Sequence, residues 1–163
     1  MTHQLYHAIF LVGLPGSGKS TWASDFIKAH PDYAILSSDA FIERFAKEAG
    51  IVYNDKAYER FRDVAEKFYK ASVAVAINNE LNIIIDRTNL TIAARRKVLS
   101  RLSKAYKKTA VVFDVTREEI DGRLLKRQAE TGKGVSQEVI DEMIGFYVKP
   151  TLDEGFDEIL TNN

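Results

Sequence analysis

Short apolar runs alternate along this chain with longer stretches whose apolar positions recur every three or four residues. The run His7–Val12 (HAIFLV) ends at a glycine and reads as a buried strand. A glycine-rich turn follows, then a helical stretch from Lys19 to Ala29 that stops at His30-Pro31. Tyr33–Leu36 reads as a second strand, Asp39 to Ala49 as a helix closed by Gly50, and Asp55 to about Asn79 as a long helix. In that long helix Tyr58, Phe61, Ala65, Phe68, Ser72 and Val75 form the expected core-facing stripe. Asn82–Ile85 is a third strand, Thr91 to Lys104 a basic helix and Thr109–Val115 a fourth strand. Glu118 to Thr131 and Ser136 to Val148 are helical, with a break at Gly132–Gly134. Strands alternating with helices predict an α/β sandwich around a parallel sheet.

Composition narrows the class. The chain has 163 residues, 45% hydrophobic and 28% charged, which fits one ordinary globular domain over 1–163. There is no cysteine, which excludes disulfides, zinc ribbons and thiol nucleophiles. No apolar run reaches the ~18 residues of a membrane helix, and Met1 to His7 lacks a signal-peptide pattern. A cytoplasmic protein is expected, with no membrane association. Lysine plus arginine equals aspartate plus glutamate at 23 each, so net charge names no partner. The distribution is uneven. Arg87 to Phe113 holds eight basic residues and no acid, while Glu138 to Glu158 holds seven acids and one lysine. The basic stretch has two readings, a path for a nucleic-acid backbone or a solvated helix face. Aromatic residues for base stacking are sparse in it, with Tyr106 alone.

Gly13-Leu14-Pro15-Gly16-Ser17-Gly18-Lys19-Ser20 matches the pattern G-x-x-x-x-G-K-[ST] between a strand and a helix, with Thr21 next. Glycines let several backbone N–H groups converge on one anion, and the helix adds its positive end. Lys19 can reach the β- and γ-phosphates of a nucleotide, and the Ser20 hydroxyl can ligate Mg²⁺. Trp22 is expected to pack. Transfer of a phosphoryl group to a hydroxyl also needs a base or orienter near that hydroxyl. Asp39 and Asp86 lie just beyond the carboxyl ends of two expected strands, where open α/β sheets hold ligands. Asp39 is read as the general base, or else as a helix N-cap. Asp86, ending the run IIID, is read as support for the metal, or else as a turn residue. Thr88 and Asn89 would bond Asp86 or substrate, or cap the helix beginning near Thr91.

With GLPGSGKSTWA, Asp39, IIIDRTN and the VVFDV strand together, the chain resembles the kinase domain of bacteriophage-type polynucleotide 5′-hydroxyl kinases over about Ile9 to Leu160. These are small P-loop kinases with an adenylate-kinase-like core. The resemblance implies a P-loop NTPase three-layer sandwich, with four or five parallel strands in the order 2-3-1-4 and a helical lid over about 123–136. It implies ATP and Mg²⁺, with Asp39 activating the acceptor hydroxyl. Arg127, in the Lys126-Arg127 pair, matches a lid arginine that neutralises the transferring phosphate. Arg123 and Lys133 are candidates to assist it. Two positions depart from the family. A second lid arginine falls on or near Thr131, where lysine at 133 cannot make a bidentate fork. A basic position that contacts acceptor phosphate falls on Ile42. The implied substrate is the free 5′-hydroxyl of a nucleic acid. The alternatives are a modified base in DNA, a nucleoside or small metabolite as acceptor, and a nucleotide- or RNA-binding module with a degenerate kinase core.

Overall fold

The structure is a computed structural model that describes residues 3–162; the readings at Met1, Thr2 and Asn163 concern residues outside that range. In chain order the elements are β1 (Tyr6–Val12), α1 (Lys19–Ala29), β2 (Tyr33–Leu36), α2 (Ser38–Glu48), α3 (Asp55–Asn78), β3 (Asn82–Ile85), α4 (Ile92–Leu99), β4 (Tyr106–Phe113), α5 (Arg117–Thr131), α6 (Gln137–Phe146) and β5 (Glu158–Asn162). A 3₁₀ turn at Leu152–Glu154 precedes β5. All five strands are parallel, in the order β2-β3-β1-β4-β5. The expected order is present, and β5 extends it at the β4 edge.

Both faces of the sheet are covered, which is why β1, β3 and β4 are apolar without alternation. On one face Phe10, Val12, Ile83, Ile85 and Val112 meet Tyr69, Val73 and Ala76 of α3 and Val98 and Leu99 of α4. On the other, Ile9, Leu11, Ile84 and Val111 meet α1 through Ala23, with Trp22 and Phe26 alongside. Trp22 stacks on Phe26 and meets Phe113 edge to face, the packing role expected of it. Among the described residues no helix is long and apolar enough to cross a membrane.

Three readings are corrected. The core stripe of α3 is Ala65, Tyr69, Val73 and Ala76, rotated by about one position from the expected one. Phe68 is half exposed and Val75 more so, because Phe68 turns toward Phe41 and Phe45 of α2 and away from the sheet. Neighbouring positions of α3 are both apolar, so spacing alone does not choose between the two faces. The basic helix ends at Leu99 rather than Lys104, and β4 starts at Tyr106 rather than Thr109. Pairing with β1 extends from Tyr6↔Tyr106 onward and draws Lys107 and Lys108 into the strand. Arg95, counted in the basic stretch, is fully buried, with its guanidinium on both Glu154 oxygens and on the carbonyls of Asn89 and Val148. It pins α4 to the turn before β5, and Lys107 pairs with Glu158. The stretch is therefore not one continuous solvated face.

Candidate active site

Every candidate residue lies at the carboxyl edge of the sheet, because the strands are parallel and their ends share one side. Gly13 to Gly18 form the loop between β1 and α1. A Cβ at Gly13 would stand 2.7 Å from Ser17 Oγ and 3.0 Å from Phe113 Cβ, so only glycine fits without a shift. Gly16 and Gly18 have φ of 79° and 97°, the left-handed conformation that turns the loop, and Gly18 opens α1. The first turn of α1 carries no acid, so its positive end is uncompensated.

Lys19 is buried. Its Nζ donates to the Leu14 carbonyl at 2.7 Å and to Ser17 Oγ at 3.3 Å. Burial pushes the ammonium down to about 8, with Arg127 adding to the shift and Asp86 and Asp39 opposing it. A desolvated cation of this kind is completed by an anion. Ser20 Oγ donates to Asp86 Oδ2 at 2.9 Å. Burial pushes Asp86 above the ordinary carboxylate value, against the pull of Ser20 and Lys19. The hydroxyl and carboxylate present hard oxygens side by side, a donor set that suits Mg²⁺, which keeps several of its own waters. Asp86 is tied to β2 through its N–H on the Leu36 carbonyl.

Asp39 lies in the first turn of α2, but the cap is Ser37, whose hydroxyl accepts from Ala40 N. That sets aside the N-cap reading and leaves the Asp39 carboxylate free to face the cleft. Tyr53 donates to Asp39 Oδ1 at 2.6 Å. Lys133 Nζ donates to Asp39 Oδ2 and to Glu43 Oε1, and sits 4.6 Å from the centre of the Tyr53 ring. Burial, then the hydrogen bond to Asp39, pushes the Tyr53 phenol well above its ordinary value, so it stays a donor. Tyr53 and Glu43 were not anticipated. Tyr53 lies in the connection before α3, and no local spacing links it to Asp39.

The α5 helix crosses the loop. Ile120 and Leu124 form a small core with Ile140, against Leu14, Val115 and Val135. A Cβ at Gly16 would stand 3.1 Å from the Leu124 side chain, so helix and loop touch. Arg123 Nη1 reaches the Gly16 carbonyl at 3.4 Å, and Arg127 Nε donates to the Lys133 carbonyl at 3.2 Å. One turn apart on α5, the two arginines share a face. Lys133 is expected in the lid as an aid to Arg127 on the transferring phosphate. It is turned to Asp39. Thr88 and Asn89 do not cap α4. Thr91 caps α4 by accepting from Ala94 N, and buried Asn89, at φ 50°, donates to the Leu11 carbonyl. Ile42 is buried in α2 and offers nothing to a phosphate.

Comparisons with known proteins agree with this geometry. One chain of a solved Pnkp1/Rnl/Hen1 RNA repair complex superposes with a TM-score of 0.68 at 30% identity, over 88% of this chain and 44% of that one. An L-seryl-tRNA(Sec) kinase of Methanococcus maripaludis is 29% identical over 139 residues, 83% of this chain and 50% of the relative. Human heterogeneous nuclear ribonucleoprotein U-like protein 2 is 26% identical over 157 residues, 93% of this chain and 21% of the relative. The chain thus spans half or less of the length of each of these three. A family described as AAA domain matches residues 9–150, and the chain, with its phosphate-binding loop and 2-3-1-4-5 sheet, belongs to that family.

Proposed function

We propose that this protein transfers the γ-phosphoryl group of ATP to a hydroxyl, and that the hydroxyl is the 5′-OH of a polynucleotide. The observation that carries the reading is a carboxylate, Asp39, held by Tyr53 and close enough to act on Lys19 and Asp86 beside the phosphate-binding loop. A binding module has no need of such a group. The kinase names among the relatives support the reaction class, and the RNA-repair and tRNA names support a nucleic-acid acceptor.

In this reading the N–H groups of Gly16 and Gly18, with Gly13, Leu14, Pro15 and Ser17 shaping the turn, cradle the phosphates, and Thr21 follows in the first turn of α1. Lys19 exchanges its protein acceptors for the β- and γ-phosphates. Ser20 and Asp86 would hold Mg²⁺, which when bound neutralises charge on the phosphates. The acceptor hydroxyl gives its proton to Asp39. Its oxygen forms a bond to the γ-phosphorus as the bond from that phosphorus to the β–γ bridging oxygen breaks, and ADP leaves. Arg127 and Arg123 stabilise the charge on the transferring group. Lys133 yields its place on Asp39 to the incoming hydroxyl and adds its charge nearby. Residues 123–136 act as the lid. The place of work in this reading is the cytoplasm, with which a cysteine-free composition is compatible.

The test is transfer from γ-labelled ATP to a panel of acceptors: 5′-OH DNA, 5′-OH RNA, DNA carrying hydroxymethylated bases, and free nucleosides. Label on a 5′-OH strand, lost in Asp39→Asn, is the expected result. Label on a modified base or nucleoside alone moves the function to that acceptor. ATP binding without any transfer would make the protein a nucleotide-binding module, the reading nearest the ribonucleoprotein relative.

A further inference from the structure

On the face of the sheet that carries α3 and α4, a groove of about 310 Å³ runs between the two helices. Val73 and Val98 are among its apolar residues. At one end stand Arg87 and Thr88, which directly follow Asp86, so the groove begins next to the candidate active site. Lys70, Arg87, Lys97 and Arg101 stand around it, against the single acid Glu66.

Glu66 does not neutralise the groove. It is engaged by Arg87 Nη1 at 3.0 Å, which orients that guanidinium over the Tyr69 ring at 4.6 Å. Lys70, Lys97 and Arg101 have no acidic partner within 4.0 Å among the described residues. The basic stretch is thus sorted by partner. Arg95 is consumed inside the fold and Lys107 in a partly exposed pair with Glu158, while Lys97 and Arg101, four positions apart, project onto the groove. Tyr69 is buried beneath Arg87, so the groove offers charge rather than a stacking surface. On α2, Ile42 is buried and Arg44 pairs with Glu48.

We infer that this groove is a second anion subsite, which takes backbone phosphates of the acceptor strand beyond its reacting 5′ end. The inference rests on the polynucleotide reading above. Cations on α3, on α4 and in the turns that follow β3 and α4 suit a run of phosphates better than one small anion, and binding through them is insensitive to base identity.

The experiment compares steady-state transfer to 5′-OH oligonucleotides from a dinucleotide to about twelve nucleotides, at low and moderate salt. The variants are Lys97→Glu/Arg101→Glu, the milder Lys97→Ala/Arg101→Ala, and Lys28→Glu on α1 as a control on the opposite face. The groove variants are expected to raise KM for the longest acceptor, about tenfold for the charge reversal, with KM for ATP and for the dinucleotide held. The salt dependence of binding should fall by about one unit of log–log slope. An unchanged KM for the long acceptor, or an equal rise for the dinucleotide, overturns the subsite while the polynucleotide reading stands. A wild-type protein that labels small hydroxyl compounds and no oligonucleotide overturns both.

Discussion

Asp39, Tyr53 and Lys133 show how the site is made of contacts between residues far apart in the chain, 14 positions in one case and 94 in the other. Asp39 was legible from sequence because it follows a short apolar run at the edge where a parallel sheet binds its ligand. Its neighbours were not legible, because nothing near Tyr53 or Lys133 points to residue 39. The same distance effect explains Asn89. Its side chain serves the Leu11 carbonyl, on a strand that pattern alone does not pair with it. Tyr53 is expected to act as a positioning residue. Tyr53→Phe removes one hydrogen bond to a charged oxygen, so kcat should fall about tenfold while KM for ATP holds. Steady-state kinetics at saturating acceptor check this, and Tyr53→Ala should be worse.

At the scale of elements, the phosphate-binding loop was the easiest part to read, since its chemistry is contiguous and its glycines are required by backbone geometry. The α3 helix was harder. Its existence and length followed from period, but its buried face is chosen by the sheet and by the aromatic side chains of α2, neither of which is local. The α5 helix joins the loop through Leu124, which is buried against Gly16. Leu124→Ala should cost about 2–5 kcal/mol in urea denaturation. It should also weaken nucleotide binding, because the truncation loosens the contact that holds Arg123 and Arg127 over the loop. Equilibrium unfolding with and without ATP separates the two effects.

At the scale of the whole molecule, the fold class followed from alternation and the strand order from the family resemblance, with β5 as an added edge. The fate of the basic stretch did not follow, since a count of charges does not say which are paired. Arg95 and Glu154 join α4 to the end of the chain in a buried pair. Burial pushes the Glu154 carboxyl up, but the hydrogen bonds from Arg95 and Thr151 and the guanidinium charge outweigh it, and the net value lies below the ordinary one. A lowered carboxylate contributes stability that is present above its unfolded value of 4.5 and is lost as pH falls through the folded value. Glu154→Gln leaves the guanidinium without its counter-charge and should cost about 3–5 kcal/mol at neutral pH. Its stability should also fall less steeply with acid than that of the wild type. His7 works in the same direction. Burial, with Lys107, pushes its imidazole below the ordinary value despite Glu158, so the folded state prefers it neutral. Stability should therefore begin to fall as pH drops below about 6.5. Thermal melts across pH 3–8 test both groups.

In the proposed reaction Asp39 takes the acceptor proton, which kcat of Asp39→Asn beside its Kd for ATP checks at once. The expected result is a loss of about 10²–10⁴-fold in kcat, the usual worth of a general base, with the Kd for ATP unchanged within a factor of about two. A variant that binds ATP normally and transfers phosphate at the wild-type rate would contradict it.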